Sequence, residues 1–125
     1  MLTLNHANLP VPDVISLRDF FVRHFGFTQL NQDEGTRFVV LRGGAGFILN
    51  LMQASAGDPG GFPKNFHVGF MVETTEEVHE THARLTTAGV ECGPAEAMNR
   101  RGTASVTFYC HAPNQILVEV SCYSA

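Results

Sequence analysis

Residues 66–72 alternate strictly. Phe66, Val68, Phe70 and Val72 are apolar at every second position, and His67, Gly69 and Met71 occupy the positions between. This pattern predicts a strand with one face packed on a helix and a histidine on the other face. Upstream, "LTLNHAN" (residues 2–8) reads as extended, with Pro10 and Pro12 expected to break regularity before a helix. Asp13 or Ser16 can cap that helix, Leu17, Phe20, Phe21 and Phe25 form its inner stripe, and Gly26 ends it. Strands are expected around Thr28 to Asn31, over "TRFVVLR" and over "GFILNLMQ", with Gly43-Gly44 as the turn between the last two.

Residues 53–65, "QASAGDPGGFPKN", carry no periodicity. Beyond them the order repeats. After the strand "NFHVGFMV", the segment "TEEVHETHARLTTAG" has helical spacing at Val78, His82 (or Thr81) and Leu85. Thr74 and Glu77 stand at capping-box spacing, and Gly89 stops the helix. "VECGP", "TASVTFYC" and "QILVEVSC" supply three further strands, with "HAPNQ" as the last turn. Each half therefore reads strand, helix, strand, strand, strand. His6 and His67 lie 61 residues apart and the helix stops Gly26 and Gly89 lie 63 apart, an offset that indicates an internal duplication. The expected organisation is one α+β domain over residues 1–125, with module one at about 1–53, a linker at about 54–64 and module two at about 65–125.

Parity then separates the polar residues. Ile116, Val118 and Val120 share the apolar side of the closing strand, leaving Leu117, Glu119 and Ser121 opposite. In the first half Phe47, Leu49 and Leu51 share one side, and Asn50 takes the place of Glu119. A carboxylate between two valines is costly to bury unless it is paired, protonated or bound to a cation. His6, Asn50, His67 and Glu119 thus fall at equivalent places on faces turned from the helices. Two histidines and a carboxylate form the donor set of a two-His, one-carboxylate metal site. Taken singly, a strand histidine is more often a hydrogen-bonded residue than a ligand, so the joint arrangement carries the reading.

Composition narrows the classes. The chain of 125 residues is 44% hydrophobic and 16% charged, as a folded domain is, and its net charge of -4 with eight Lys and Arg leaves no footprint for nucleic acid. No apolar run approaches the ~20 residues of a spanning helix, so no membrane association is expected. "MLTLNHANLP" lacks the basic region and apolar core of a signal peptide. Cys92, Cys110 and Cys122 are odd in number and lack CxxC spacing, which argues against a disulfide framework or thiolate zinc site and for a cytoplasmic protein.

The segments "LNHANLPVPDVISLRDFFVRHFGF", "FHVGFMVE" and "FYCHAPNQILVEV" resemble the vicinal oxygen chelate superfamily, which holds glyoxalase I, bleomycin-resistance proteins, fosfomycin-resistance thiol transferases and extradiol dioxygenases. The resemblance runs over essentially the whole chain. It implies two βαβββ modules whose curved mixed sheets form a cup around a divalent metal (Zn, Ni, Mn or Fe), and it places His6, His67 and Glu119 at ligand positions. It also implies a homodimer, in some members with the site shared between subunits. The chain departs from the family pattern in two places. Asn50 stands where four-ligand members carry a carboxylate, and the turn "HAPNQ" replaces a form like "DPDGN". Without basic groups after Glu119 the phosphonate-binding thiol-transferase subtype is disfavoured.

Tyr109 shares the parity of Ser105 and Thr107 and resembles a pocket tyrosine of the family, able to hydrogen-bond or protonate a substrate oxygen. Asn50 is a candidate to hydrogen-bond substrate or metal-bound water. Arg100 and Arg101 in the loop "NRRGT" can attract an anion, or form a solvated hairpin tip. His79 and His82 belong to a helix behind the sheet and are discounted as ligands; His24 and His111 carry no pattern. Leu4, Met52, Met71 and Leu117 are the apolar lining by parity. The expected function is a glyoxalase-like, divalent-metal-dependent enzyme acting on a small oxygen-chelating substrate by lyase, isomerase or dioxygenase chemistry. The rival is a metal-free protein that sequesters an aromatic antibiotic or metabolite.

Overall fold

The computed structural model describes residues 1–32, 37–58, 61–100 and 102–123, Arg100 by its backbone alone. Thr36, Pro59, Gly60 and Arg101, which figure in the expectations above, lie outside the described residues. The chain divides into two compact units, Met1–Gly61 and Phe62–Ala125.

In unit one, β1 (His6–Val11) leads into α1 (Val14–Phe25), followed by β2 (Thr28–Gln29), β3 (Phe38–Arg42) and β4 (Ile48–Gln53). The sheet order is β1-β4-β3-β2, with β1 parallel to β4 and the other pairs antiparallel. Asp13 caps α1 by accepting from the Ser16 amide at 3.1 Å, and Gly26 closes it at φ 69°. Val14, Leu17, Phe20 and Phe21 are buried along one stripe of α1; Phe25 is only half-buried. They pack on Leu9, Val11, Val39, Leu41, Leu49 and Leu51, the inward residues of the sheet.

Two expectations for this unit are corrected. Pro10 does not end the first strand, which starts later than expected at His6 and continues to Val11. Asn5 and Val11 direct their carbonyls to the amides of Ile48 in β4 and Ala54 just past it, so Pro10, on the alternate parity, turns its missing donor outward from an edge strand. The Gly43-Gly44 turn is a longer connection in which the Gly43 amide donates to Phe47 and Ala45 takes φ 56°. Gly43 serves packing instead: a Cβ there would lie 2.6 Å from the Phe27 ring.

Unit two has β5 (His67–Met71), α2 (Thr75–Thr87), β6 (Glu96–Arg100), β7 (Thr103–Ala112) and β8 (Ile116–Tyr123) in the order β5-β8-β7-β6, with β5 parallel to β8. Thr74 caps α2 by accepting from the Glu77 amide at 3.1 Å. Val78 and Leu85 are the buried positions of α2. The strand expected over "VECGP" is absent there, since Cys92 pairs with Cys110 at a single point and Pro94 lacks an amide donor for a ladder. The ladder forms two residues later as β6, which puts Arg100 in a strand and not in a hairpin loop. β7 takes in His111 and Ala112, and the turn to β8 closes through Asn114 and Gln115 at φ 65° and 60°. Among the described residues no helix is long and apolar enough to cross a membrane.

Candidate functional site

The face of each sheet away from its helix can be read row by row from the register. In unit two the rows are His67–Leu117–His111, Gly69–Glu119–Tyr109 and Met71–Ser121–Thr107. The alternate positions Val118, Val120, Phe108 and Cys110 are buried at 1% exposure or less, so hydrophobic burial pins the register. Once it is pinned, Glu119 must project from the opposite face.

Three side chains converge there. Glu119 Oε2 lies 3.4 Å from His67 Nε2, and Glu119 Oε1 accepts from the Tyr109 hydroxyl at 3.1 Å. The Tyr109 ring stands edge-on to the His67 ring, with centroids 5.9 Å apart. His67 Nδ1 lies 3.0 Å from the Asn65 carbonyl, which can only accept, so Nδ1 carries the proton. In neutral His67 the Nε2 lone pair then faces a carboxylate oxygen. Two acceptors so placed repel unless a proton or a metal cation stands between them. Donors at about 2.05 Å from one zinc subtend about 3.4 Å at the tetrahedral angle, so the observed spacing suits two ligands of one ion. An imidazole held by a carbonyl at Nδ1 is also the usual arrangement of a metal-binding histidine.

Gly69 makes the geometry feasible. A Cβ there would lie 3.3 Å from Glu119 Oε2, so the carboxylate would have to shift by a few tenths of an ångström. A glycine inside a strand often marks such a close approach, and that was the available signal in the sequence. Below this row, Thr107 bonds Ser121 at 2.9 Å and Ser105 at 3.2 Å, at 2%, 3% and 7% exposure. Sequence parity put these residues on the right face, but nothing in it showed that they are buried.

In unit one the corresponding rows are His6–Ile48–Arg42, Asn8–Asn50–Val40 and Pro10–Met52–Phe38. His6 is exposed, with Nδ1 2.8 Å from Asn5 Oδ1, and Asn50 is half-buried. Asn8 Nδ2 reaches Met52 Sδ at 2.8 Å. The structure therefore brings His67, Glu119 and Tyr109 together in unit two, while His6 and Asn50 stand in adjacent rows of the same face in unit one. Among the described residues no group of three His, Cys, Asp or Glu side chains could hold a metal ion. His82 is an anchor: its Nε2 donates to the Gly93 carbonyl at 2.9 Å and its ring meets Phe108 edge-on. Of the expected lining, Leu4 and Met71 are exposed, whereas Met52 and Leu117 are half-buried.

A family profile described as the Glyoxalase/Bleomycin resistance protein/Dioxygenase superfamily matches residues 3–120. Among solved structures, a possible glyoxalase from Bacillus cereus is 35% identical over 98% of this chain and 100% of its own, with a TM-score of 0.79. Lactoylglutathione lyase from Agrobacterium tumefaciens matches at 21% identity, 98% and 94% coverage and a TM-score of 0.73. The genomically encoded fosfomycin resistance protein FosX from Listeria monocytogenes matches at 20% identity, 99% and 95% coverage and a TM-score of 0.72. No curated protein sequence matches the chain.

Proposed function

The chain belongs to the Glyoxalase/Bleomycin resistance protein/Dioxygenase superfamily, and from that premise we propose that it is a divalent-metal-dependent enzyme acting on a small substrate with two adjacent oxygens. The observation that carries the reading is His67 Nε2 set 3.4 Å from the Glu119 carboxylate, with Nδ1 turned to the Asn65 carbonyl. In this reading His67 and Glu119 are two protein ligands of the ion and His6 is the third. A bound divalent ion supplies Lewis-acid polarisation of the substrate oxygens.

The chain's own residues do the rest. The Asn65 carbonyl holds the His67 tautomer that presents Nε2. Tyr109 ties down Glu119 Oε1, leaving Oε2 to face His67. Its hydroxyl has one proton, so donation to a substrate oxygen exchanges with the bond to Glu119. Asn50 offers an amide where a fourth ligand would be a carboxylate, suited to hydrogen-bonding substrate and poorly suited to ligating zinc. The reading includes the homodimer and the cytoplasmic setting, and sedimentation of a monomer at micromolar concentration removes the shared-site form.

The test is metal content by elemental mass spectrometry, before and after reloading, on wild type, His67→Ala and Glu119→Gln. Near-stoichiometric Zn, Ni, Mn or Fe in wild type and none in either variant is the expected result. If wild type takes up none of them after reloading, the proposal fails, and retained affinity for aromatic ligands in chelator identifies a metal-free binding protein instead.

A further inference from the structure

Sequence spacing gives no reason to pair the three cysteines, yet the topology places two of them opposite each other. Cys92 and Cys110 are antiparallel partners. The bonds that flank them run from the Gly93 amide to the Tyr109 carbonyl at 2.8 Å and from the His111 amide to the Glu91 carbonyl at 3.0 Å. Neither cysteine exchanges backbone bonds with the other, which makes them a non-hydrogen-bonded pair. Such pairs have Cα atoms about 4.5 Å apart with the side chains close together, at the short end of the ~4.4–6.8 Å that a disulfide spans. The segment bearing Cys92 is also held from behind, because His82 on α2 donates to the Gly93 carbonyl.

We propose that Cys92 and Cys110 form a site of reversible oxidation, closing a cross-strand disulfide that fastens residues 91–93 to β7. The two thiols are not equivalent. Cys92 is half-buried and Cys110 is at 0% exposure. Burial, with the neighbouring Cys92 adding to it, pushes the Cys110 thiol up to about 12. Cys92 is therefore the sulfur that meets the oxidant and Cys110 the one that resolves. With a peroxide, the Cys92 thiolate attacks one oxygen, the O–O bond breaks and the leaving oxygen departs as water or alcohol, giving a sulfenic acid. The Cys110 sulfur then displaces hydroxide from that sulfenic sulfur, and the thiol proton leaves with the hydroxide as water. Two electrons pass from the thiol pair to the peroxide. Cys122 stands apart from this chemistry, with its thiol donating to the Glu73 carbonyl at 3.3 Å.

The experiment is hydrogen peroxide treatment of the folded chain, alkylation of the remaining thiols and intact mass analysis, with tryptic mapping. The three thiols should fall to one, with a loss of two hydrogens, and dithiothreitol should restore all three. Cleavage after Arg100 and Arg101 separates Cys92 from Cys110 and Cys122, so the crosslinked peptide reports Cys92. Cys122→Ser should still crosslink, which assigns Cys110, and Cys92→Ser should not crosslink. Three alkylatable thiols after oxidation, a crosslink lost in Cys122→Ser, or a Cys92-linked covalent dimer would each overturn the proposal. Should Cys92→Ser fail to fold, wild type and Cys122→Ser decide the question.

Discussion

The two sheets share a topology and differ in what they hold on the face away from the helix. At corresponding register, Asn8, Asn50 and Val40 of unit one match Gly69, Glu119 and Tyr109 of unit two, and Met52 and Phe38 match Ser121 and Thr107. One row therefore carries two amides beside a valine, and the other carries an acid, space for it and a hydroxyl donor. Duplication supplies equivalent positions. Whether a position becomes a charged site depends on its two strand neighbours, since a half-buried carboxylate needs both room and a donor.

That contrast can be broken most severely at Gly69. Branched carbons in Gly69→Val would force the Glu119 carboxylate off His67, and metal affinity measured by competition with a chelating dye should fall ~100-fold, about 2.8 kcal/mol. The strand itself should persist, because valine suits an extended backbone. Asn8→Val, at the corresponding position in the other sheet, should leave affinity within ~3-fold, about 0.7 kcal/mol. Equal losses would mean that room at this row is not what distinguishes the units.

A second difference lies in the hydroxyls. Thr107→Val strands the buried Ser121 and Ser105 hydroxyls without their shared partner, and denaturant unfolding should show a loss of about 1–3 kcal/mol. A neutral result would show that the string contributes nothing to unit two. Tyr109→Phe removes the bond to Glu119 Oε1 and keeps the ring. Metal affinity should drop ~10-fold, at the lower end for a group that orients a ligand, with the melting temperature nearly unchanged. The smallest effect is expected at Asn50→Ala, within ~2-fold on metal affinity, because an amide contributes little to a zinc-type site. A loss as large as that of Tyr109→Phe would promote Asn50 to a ligand.

Much of the fold was legible in period and punctuation. Asp13, Gly26 and Thr74 mark helix ends by local chemistry, and alternation assigned Val118 and Val120 to the core and Glu119 to the opposite face. The exceptions have local causes acting at a distance. Pro10 sits inside a strand because β1 is an edge, Gly43 answers to the Phe27 ring, and β6 forms beyond Pro94 where a full ladder becomes available.

The sequence by itself determined the repeat, the family and the parity of His67, Tyr109 and Glu119, since alternation and capping are properties of neighbours along the chain. Tertiary structure decided the rest. Pairing of β5 with β8 set Gly69 beside Glu119, and pairing of β7 with β8 set Tyr109 there. A return of the chain after α2 set Cys92 against Cys110. Register between distant strands follows from which apolar faces are buried together, and no spacing along the sequence encodes that contact.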